Sequence, residues 1–296
     1  MKKVAIVTDG SCDIPKSVVE QYNIHIVPFR VIFGDEIFKT YGDWGTLTKE
    51  EFYLKLATSS VSPTSAIPGI PDFQDVFQEA LNSADSVIAI FLSQKFSGLH
   101  QAACKISSTM EGKDITIVDS KVSTSSLGVL VIEAAKMAQK GKGKEEILER
   151  LNELIPQARL VAILDSVDAV YRSGRVGWAK KFLVSSLKIK PIVNFEDGLI
   201  VSGGTLQGAK EVIKRLKFAA SIIVTQAVTD TIVIWHVRYL EVAKEIADFM
   251  EEHNKFGKTI IIQEAGPVVG THVGERSLGL MYIGPYKKQW LLKMKE

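Results

Sequence analysis

The first half of the chain alternates short apolar runs with helical patterns of apolar and polar residues. The run KVAIVTD (3–9) predicts a buried strand, and IHIVPFRVIF (24–33) predicts extended backbone with an edge or a bend at Pro28. A helix is predicted over 14–23, with Asp13 as its N-cap. Apolar strands that alternate with helices are typical of a parallel α/β sheet covered on both faces.

The remainder of the first half follows the same pattern. Thr48 and Glu51 have capping-box spacing and predict a helix N-terminus. Further strands are predicted over 86–93 and 114–120, and further helices near 71–83, from about Gly98, near 127–140 and near 144–156.

The second half has a different pattern, which predicts a mixed sheet. Two apolar runs flank a turn at Glu196–Gly198 and predict a hairpin. The change near Pro156–Leu160 predicts an N-terminal α/β domain over 1–158 and a C-terminal mixed α/β domain over 159–296. Strands are predicted over 160–166, 231–237, 258–264 and 278–283, and helices after 166, within 171–187, near 207–221 and near 240–253.

Composition and charge exclude several classes of protein. The 36 basic and 34 acidic side chains leave a formal net charge of +2, too balanced to favour nucleic acid or an anionic membrane surface. With 46% hydrophobic and 24% charged residues, the chain has the composition of a globular protein. No apolar stretch is long enough for a signal peptide or a bilayer span, so we expect a soluble cytoplasmic protein.

The common catalytic and cofactor motifs are absent from the sequence. The chain contains no G-x-x-x-x-G-K-[ST] phosphate loop, no G-x-G-x-x-G after the first strand and no G-x-S-x-G nucleophile elbow. Its five histidines are scattered without metal-ligand spacing, and its two cysteines form no motif. We therefore predict no metal and no cofactor.

The segment TDGSCDIP (8–15) lies where α/β proteins place their sites, directly after the first strand. Asp9 has the chemistry of a phosphoryl-accepting nucleophile, and Asp13 that of a metal ligand or an acid. The favoured interpretation is structural, with Asp9 and Ser11 satisfying turn amides and Asp13 capping a helix.

Several other loops carry polar groups whose roles the residues alone leave open. Ser97–Gly98 lies at a strand-to-helix junction, where free N–H groups suit an anion, although Ser97 has the alternative role of a simple N-cap. SPTSAIPGIP (62–71) is a hydroxyl-bearing connector. Arg175, between glycines, is either a ligand or a surface arginine, and His272 in GPVVGTHVG is either a ligand or a loop histidine bonded to backbone.

The order of these loops along the chain is more informative than any one of them. TDGSCDIP, TSAIP, LSQKFSG, VDSKVSTSSLGVLV, YRSGRVG, LKIKPIVNFEDG and GPVVGTHVGERSLG follow one another between about residues 3 and 285. This succession resembles the DegV family of bacterial fatty-acid-binding proteins, with KIKPI, GRVG and GTHVG as its more specific parts.

The resemblance implies two α/β domains and a long acyl chain, such as that of palmitate, in an apolar tunnel associated with their interface. The residues implied to bind the carboxylate are Thr64, Ser65, Ser97, Gly98, Arg175 and His272. Proteins similar to this one can hand the fatty acid to a separate fatty-acid kinase, which forms an acyl-phosphate. The binding protein itself supplies no catalytic group.

The chain departs from the family pattern at four places. In the last loop, Glu275 and Arg276 stand where the family usually has small residues. Ala66–Ile67 replace the family's Gln-Pro, and Leu99 replaces the threonine of its Ser-Gly-Thr turn. Leu206 and Gln207 occupy the neighbourhood in which many members carry an arginine linked to kinase docking.

Two alternatives to the carrier remain at this stage. One is a hydrolase or phosphotransferase that uses Asp9, Ser97 and His272, and the other is a ligand-controlled sensor of a protein partner. We expect a monomer that binds no nucleic acid and does not insert into membranes. Side chains deep in the tunnel would set acyl chain length, and the sequence does not locate them.

Overall fold

A computed structural model describes residues 3–42, 44–182 and 189–292 of the chain. These residues form two compact units. The first unit runs up to Pro156 and also includes Gly266–Thr271, a segment from the far end of the sequence. The second unit comprises Gln157–Ala265 and the chain from His272 onwards.

The first unit contains two sheets and the helices that flank them. Its strands are β1 (Val4–Asp9), β2 (His25–Val27), β3 (Phe29–Phe33), β4 (Glu36–Thr40), β5 (Thr64–Ala66), β6 (Ser86–Phe91) and β7 (Ile115–Asp119). Its helices in the N-terminal part of the chain are α1 (Lys16–Gln21), α2 (Lys49–Thr58), α3 (Ile70–Ser83), α4 (Leu99–Ser107), α5 (Thr124–Gln139) and α6 (Lys144–Leu154).

A four-stranded, all-parallel sheet of order β2-β1-β6-β7 is the centre of this unit. Every residue of β6 is buried, as the continuous apolar run predicts. Helices α3 and α5 both pack against β1. The predicted parallel α/β architecture of the N-terminal half is confirmed.

A second, three-stranded antiparallel sheet of order β4-β3-β5 was not predicted. The chain leaves the parallel sheet after β2, turns at Pro28 and enters this sheet as β3, so the predicted bend is confirmed. Asp72 of α3 accepts hydrogen bonds from Arg30 Nη2 of β3 at 2.9 Å and from Lys39 Nζ of β4 at 2.6 Å. These ion pairs join the small sheet to α3.

The second unit is built on a six-stranded mixed sheet of order β10-β9-β8-β13-β11-β12. The remaining elements of the chain are β8 (Ala158–Ile163), α7 (Asp168–Arg172), β9 (Ile189–Glu196), β10 (Leu199–Gln207), α8 (Gly208–Gln226), β11 (Thr231–His236), α9 (Leu240–Glu252), β12 (Thr259–Glu264), α10 (Pro267–Gly270) and β13 (Leu278–Ile283). Short α10 belongs to the first unit. Short segments of 3-10 helix occupy Ile155–Gln157, Gly177–Phe182 and Lys288–Trp290.

The hairpin predicted around Glu196–Gly198 is confirmed, because β9 and β10 pair antiparallel across that turn. Among the described strands of this sheet, β11 and β12 pair parallel and the other neighbours pair antiparallel. The apolar faces of α8 and α9 bury Leu216, Ile223 and Ile246 in the core over the sheet. The mixed α/β fold of the second half is therefore confirmed. The helix predicted within 171–187 lies partly outside the described residues. Lys188 of KIKPI lies wholly outside them.

Candidate functional site

Asp9, the last residue of β1, organises the turn that follows it. Its Oδ1 accepts the backbone N–H of Ser11 at 2.9 Å and the Ser11 hydroxyl at 2.5 Å. Its Oδ2 accepts the backbone N–H of Leu92, beyond the end of β6, at 2.9 Å. Burial raises the pKa of this carboxyl group, against the lowering effect of the three hydrogen bonds. Both oxygens serve as structural acceptors, as the turn interpretation predicted.

Asp13 does not cap the first helix, so that prediction is wrong. Helix α1 has Pro15 at its N-cap position and no side-chain capping bond. The Asp13 carboxylate instead accepts the Thr124 hydroxyl at 2.7 Å and the backbone N–H of Gly266 at 2.8 Å. Both partners lie far away along the chain, and sequence patterns carry no information on such contacts.

Thr64 and Ser65 are the first two residues of β5, the strand that the sequence pattern did not predict. In the register of the small sheet, Thr64 lies opposite Ile32 and Ser65 opposite Val31. The Thr64 side chain is exposed and Ser65 is half-buried. Successive residues of a strand point to opposite faces, so the two hydroxyls do not share a face of the sheet.

Ser97 and Gly98 lie at the N-terminus of α4, as predicted. The first residue of the helix, Leu99, donates its backbone N–H to Ser97 Oγ at 3.3 Å. Gly98 is exposed, and a Cβ added to it would meet none of the atoms that the structure describes within 4 Å. The preceding loop is held by Gln94, which donates from its backbone N–H and its Nε2 to Asp119 at the end of β7. The helix N-terminus is thus open on the side of Gly98.

Arg175 and His272 interact electrostatically within the second unit. Burial is the larger cause and the positive charge of Arg175 the smaller one, and together they lower the pKa of His272 from 6.5 to about 4. Arg175 is exposed, and its Nη1 donates to the carbonyl oxygen of Ser173 at 2.6 Å. The pair presents a neutral imidazole beside a guanidinium at neutral pH, a combination suited to an anionic group.

Leu206 and Gln207 close β10 at the position where the family resemblance places a docking arginine. The Leu206 side chain is buried, while Gln207 is exposed and precedes α8. The backbone N–H of Gln207 donates to Glu211 at 2.9 Å. The side chain of Gln207 offers an uncharged amide on this surface.

Two surface depressions lie apart from the predicted carboxylate ligands. One, of about 400 Å³, is in the first unit and is lined by residues that include His25, Tyr41 and Trp44. The other, of about 550 Å³, is an open groove between α8 and α9, lined by residues that include Lys214 and Phe249. Neither depression is lined by Thr64, Ser65, Ser97, Gly98, Arg175 or His272. The lipid tunnel stays a prediction.

Within residues 3–42, 44–182 and 189–292, no three histidine, cysteine, aspartate or glutamate side chains group as metal ligands. None of the helices formed by those residues has the length and the apolar character needed to cross a bilayer.

The structural link that sequence reasoning missed is the Asp13–Thr124–Gly266 contact. The visible sign is the polar stretch STSS (123–126), which opens an otherwise apolar helix. Thr124, Ser125 and Ser126 are all buried. Hydroxyls at buried positions need partners, and Ser125 finds one by donating to the carbonyl oxygen of Asp13 at 2.6 Å.

Comparison with known proteins gives consistent matches over nearly the whole chain. A DegV domain-containing protein of Caldanaerobacter subterraneus is 33% identical over 282 residues, covering 95% of this chain and 99% of that protein. The crystal structure of DegV from Bacillus subtilis, described as a fatty acid binding protein, is 28% identical and has a TM-score of 0.84, with 96% of this chain and all of that chain covered.

A stearic acid-binding protein of Eubacterium ventriosum shares the fold, with a TM-score of 0.80, 23% identity and coverage of 96% of this chain and 98% of that chain. The family model described as "Uncharacterised protein, DegV family" matches residues 3–284. The chain therefore belongs to the DegV family.

Proposed function

We propose that this protein binds a long-chain fatty acid in an apolar tunnel, with the carboxylate held by hydroxyls, a helix N-terminus and a histidine. The observation that carries the proposal is the likeness over 96% of the chain to the Bacillus subtilis protein, which is itself described as fatty-acid-binding. The proposed carboxylate ligands are Thr64, Ser65, Ser97, Gly98, Arg175 and His272, and the domains that provide them are 1–158 and 159–296.

The energetics favour such a ligand. Burial of an acyl chain contributes about 0.8 kcal/mol per methylene, so a dozen methylenes yield on the order of 10 kcal/mol before the costs of association. A carboxylate drawn into a buried site needs hydrogen-bond donors and positive charge. The neutral imidazole of His272, the guanidinium of Arg175 and the N-terminus of α4 beside exposed Gly98 are groups of that kind.

The proposed role needs no catalytic group in this chain. The hydrolase or phosphotransferase alternative requires Asp9 as a nucleophile, but both oxygens of Asp9 accept hydrogen bonds from Ser11 and Leu92, and the residue has no exposed surface. We further propose that the protein presents the bound acid to a fatty-acid kinase. We also propose that it acts as a monomer in the cytoplasm.

Native mass spectrometry of the protein purified from bacteria tests the proposal directly. We expect a co-purifying mass of a long-chain acid that organic solvent releases. His272→Ala should weaken the affinity for fatty acid by about 10- to 100-fold, because a hydrogen bond to a charged group is worth roughly 1.5–3 kcal/mol.

His253→Ala is the matched control for this experiment. His253 lies at the end of α9, where its Nδ1 is 2.8 Å from the carbonyl oxygen of Phe249. The substitution His253→Ala should therefore leave the affinity for fatty acid unchanged. Equal affinities of the wild type and His272→Ala would count against the assignment. An empty protein that hydrolyses acyl or phosphate esters, and loses that activity in Asp9→Asn, would favour the enzyme instead.

A further inference from the structure

One short segment of the chain, Gly266–Thr271, is called the strap here. It follows β12 and precedes β13, both in the sheet of the second unit, yet it belongs to the first unit. Its helix α10 packs against α2 and β3. The last residue, Thr271, donates both its backbone N–H and its hydroxyl to the carbonyl oxygen of Pro267, at 3.1 Å and 2.8 Å. These hydrogen bonds fix the backbone of the strap as far as Thr271, the residue before His272.

The strap is seated in close contact with its neighbours. A Cβ added to Gly270 would lie 2.7 Å from Cε1 of Phe52 and 3.0 Å from the hydroxyl oxygen of Tyr53. A Cβ added to Gly266 would lie 2.9 Å from Oδ1 of Asp13 and 2.9 Å from the carbonyl oxygen of Gly42. Both glycines are thus needed for this approach of backbone to neighbour.

Asp13 forms the polar connection between the strap and the body of the first unit. Its Oδ1 accepts the backbone N–H of Gly266 at 2.8 Å, while its Oδ2 accepts the hydroxyl of Thr124 at 2.7 Å. The side chains are closed off from solvent, with Asp13 1% and Thr124 3% exposed. Hydrogen bonds to a buried carboxylate are the stronger kind.

The backbone at this connection is strained on both sides. Asp13 has φ +37° and Thr124 has φ +52°, and for a β-branched residue the left-handed region is a genuine outlier. Such conformations persist where the surroundings over-determine them, and they cluster at functional sites. The paired hydrogen bonds of the carboxylate are the interactions that hold both residues there.

We propose that Asp13 is a positioning residue that fixes the strap, and that the strap in turn sets the position of His272. One peptide bond separates Thr271 from His272, so a displaced strap moves the Cα of His272 with it. The expected effect on ligand affinity rests on the proposed fatty-acid function. The expected effects on the strap and on the surroundings of His272 are independent of that function.

The first experiment needs no ligand and uses the full chain. Asp13→Gly removes the carboxylate and tolerates the positive φ, whereas Asp13→Asn keeps an amide oxygen for Gly266 and a polar partner for Thr124. We expect Asp13→Gly to accelerate hydrogen–deuterium exchange in peptides covering 266–271. NMR titration should show the pKa of His272 moving from about 4 towards 6.5, and Asp13→Asn should restore wild-type behaviour in both measurements.

A second pair of variants keeps the inference testable if Asp13→Gly fails to fold. Thr124→Val deletes the hydroxyl that Asp13 accepts, while Thr124→Ser retains it. We expect faster hydrogen–deuterium exchange in the strap for Thr124→Val but not for Thr124→Ser. Unchanged exchange in both Asp13→Gly and Thr124→Val would overturn the role of Asp13.

The ligand measurement separates this inference from the proposed function. If the wild type binds fatty acid, Asp13→Gly should lower its affinity for fatty acid by about tenfold. A loss of this size corresponds to the free energy of roughly one hydrogen bond. A released strap with an unchanged pKa of His272 and unchanged affinity would overturn the positioning role alone. A wild type that binds no fatty acid would end the proposed function, while exchange and the His272 titration would still decide the inference.

Discussion

At the scale of single residues, His272 shows how the environment changes the chemistry of a side chain. Burial, together with the charge of Arg175, lowers the pKa of its imidazole to about 4. The ring is therefore neutral at pH 7, and in this form one nitrogen is a donor and the other an acceptor. A neutral ring can donate to a carboxylate without the cost of burying a cation.

Loss of stability at acidic pH follows from that lowered pKa. Between pH 6.5 and about 4 the unfolded chain protonates His272 while the folded chain does not. The contribution of unprotonated His272 to the free energy of unfolding is fully present above pH 6.5. It is lost as the pH falls towards 4, by at most about 1.4 kcal/mol per pH unit. Urea unfolding at several pH values should show a weaker pH dependence for His272→Asn than for the wild type. Identical pH dependences would contradict this prediction.

Asp9 gives a second prediction at this scale. In Asp9→Asn, the amide group cannot accept the N–H groups of both Ser11 and Leu92, so a buried donor loses its partner. We expect the free energy of unfolding to fall by about 1–3 kcal/mol. Chemical denaturation measures the change, and an unaltered transition midpoint would rule out the structural role of Asp9.

At the scale of elements, the chain shows where pattern reasoning works and where it stops. Buried β6 has a continuous apolar run, and the hairpin of β9 and β10 has a turn with Gly198 at φ +80°. Both features are local and were predicted. Strands β4 and β5 were missed because each is short and has exposed positions, so its pairing with β3 supplies the structure that its own pattern does not.

Helix α5 provides a prediction for element packing. A Cβ added to Gly128 would lie 2.3 Å from Cγ2 of Ile14 and 2.6 Å from the carbonyl oxygen of Cys12. Gly128→Ala should therefore lower the free energy of unfolding by about 1–3 kcal/mol, despite the higher helix propensity of alanine. Gly177→Ala is the control and should be close to neutral, because a Cβ there meets no atom of the described residues within 4 Å. Equal stabilities of the two variants would contradict the packing of α5 against this loop.

At the scale of the whole molecule, the chain forms two compact units, and the first unit is built from two separate parts of the sequence. The strap, from a late part of the sequence, completes the first unit. The predicted boundary between residues 158 and 159 stays a prediction for the domains, as do the tunnel and its carboxylate ligands. The chain-wide likeness to the Bacillus subtilis protein supports the proposed ligand at this scale.

Ligand binding gives a prediction for global stability. A fatty acid that binds only the folded state, at a free concentration about 100 times its Kd, should add about 2.7 kcal/mol to the free energy of unfolding. Thermal unfolding of delipidated protein, with and without added fatty acid, should show the stabilised transition at a higher Tm. A shift of the same size with a fatty alcohol of equal length would contradict recognition of the carboxylate.

The amino-acid sequence by itself determined the α/β class, the parallel and mixed sheets, the hairpin and the membership of the family. Each of these depends on local periodicity or on the order of motifs along the chain. Only the tertiary structure decided that Asp13 binds Thr124 and Gly266, that β4 and β5 form a separate sheet with β3, and that the strap joins the first unit. Those features join residues distant in sequence, and their stability comes from burial and pairing that exist only once the chain has folded.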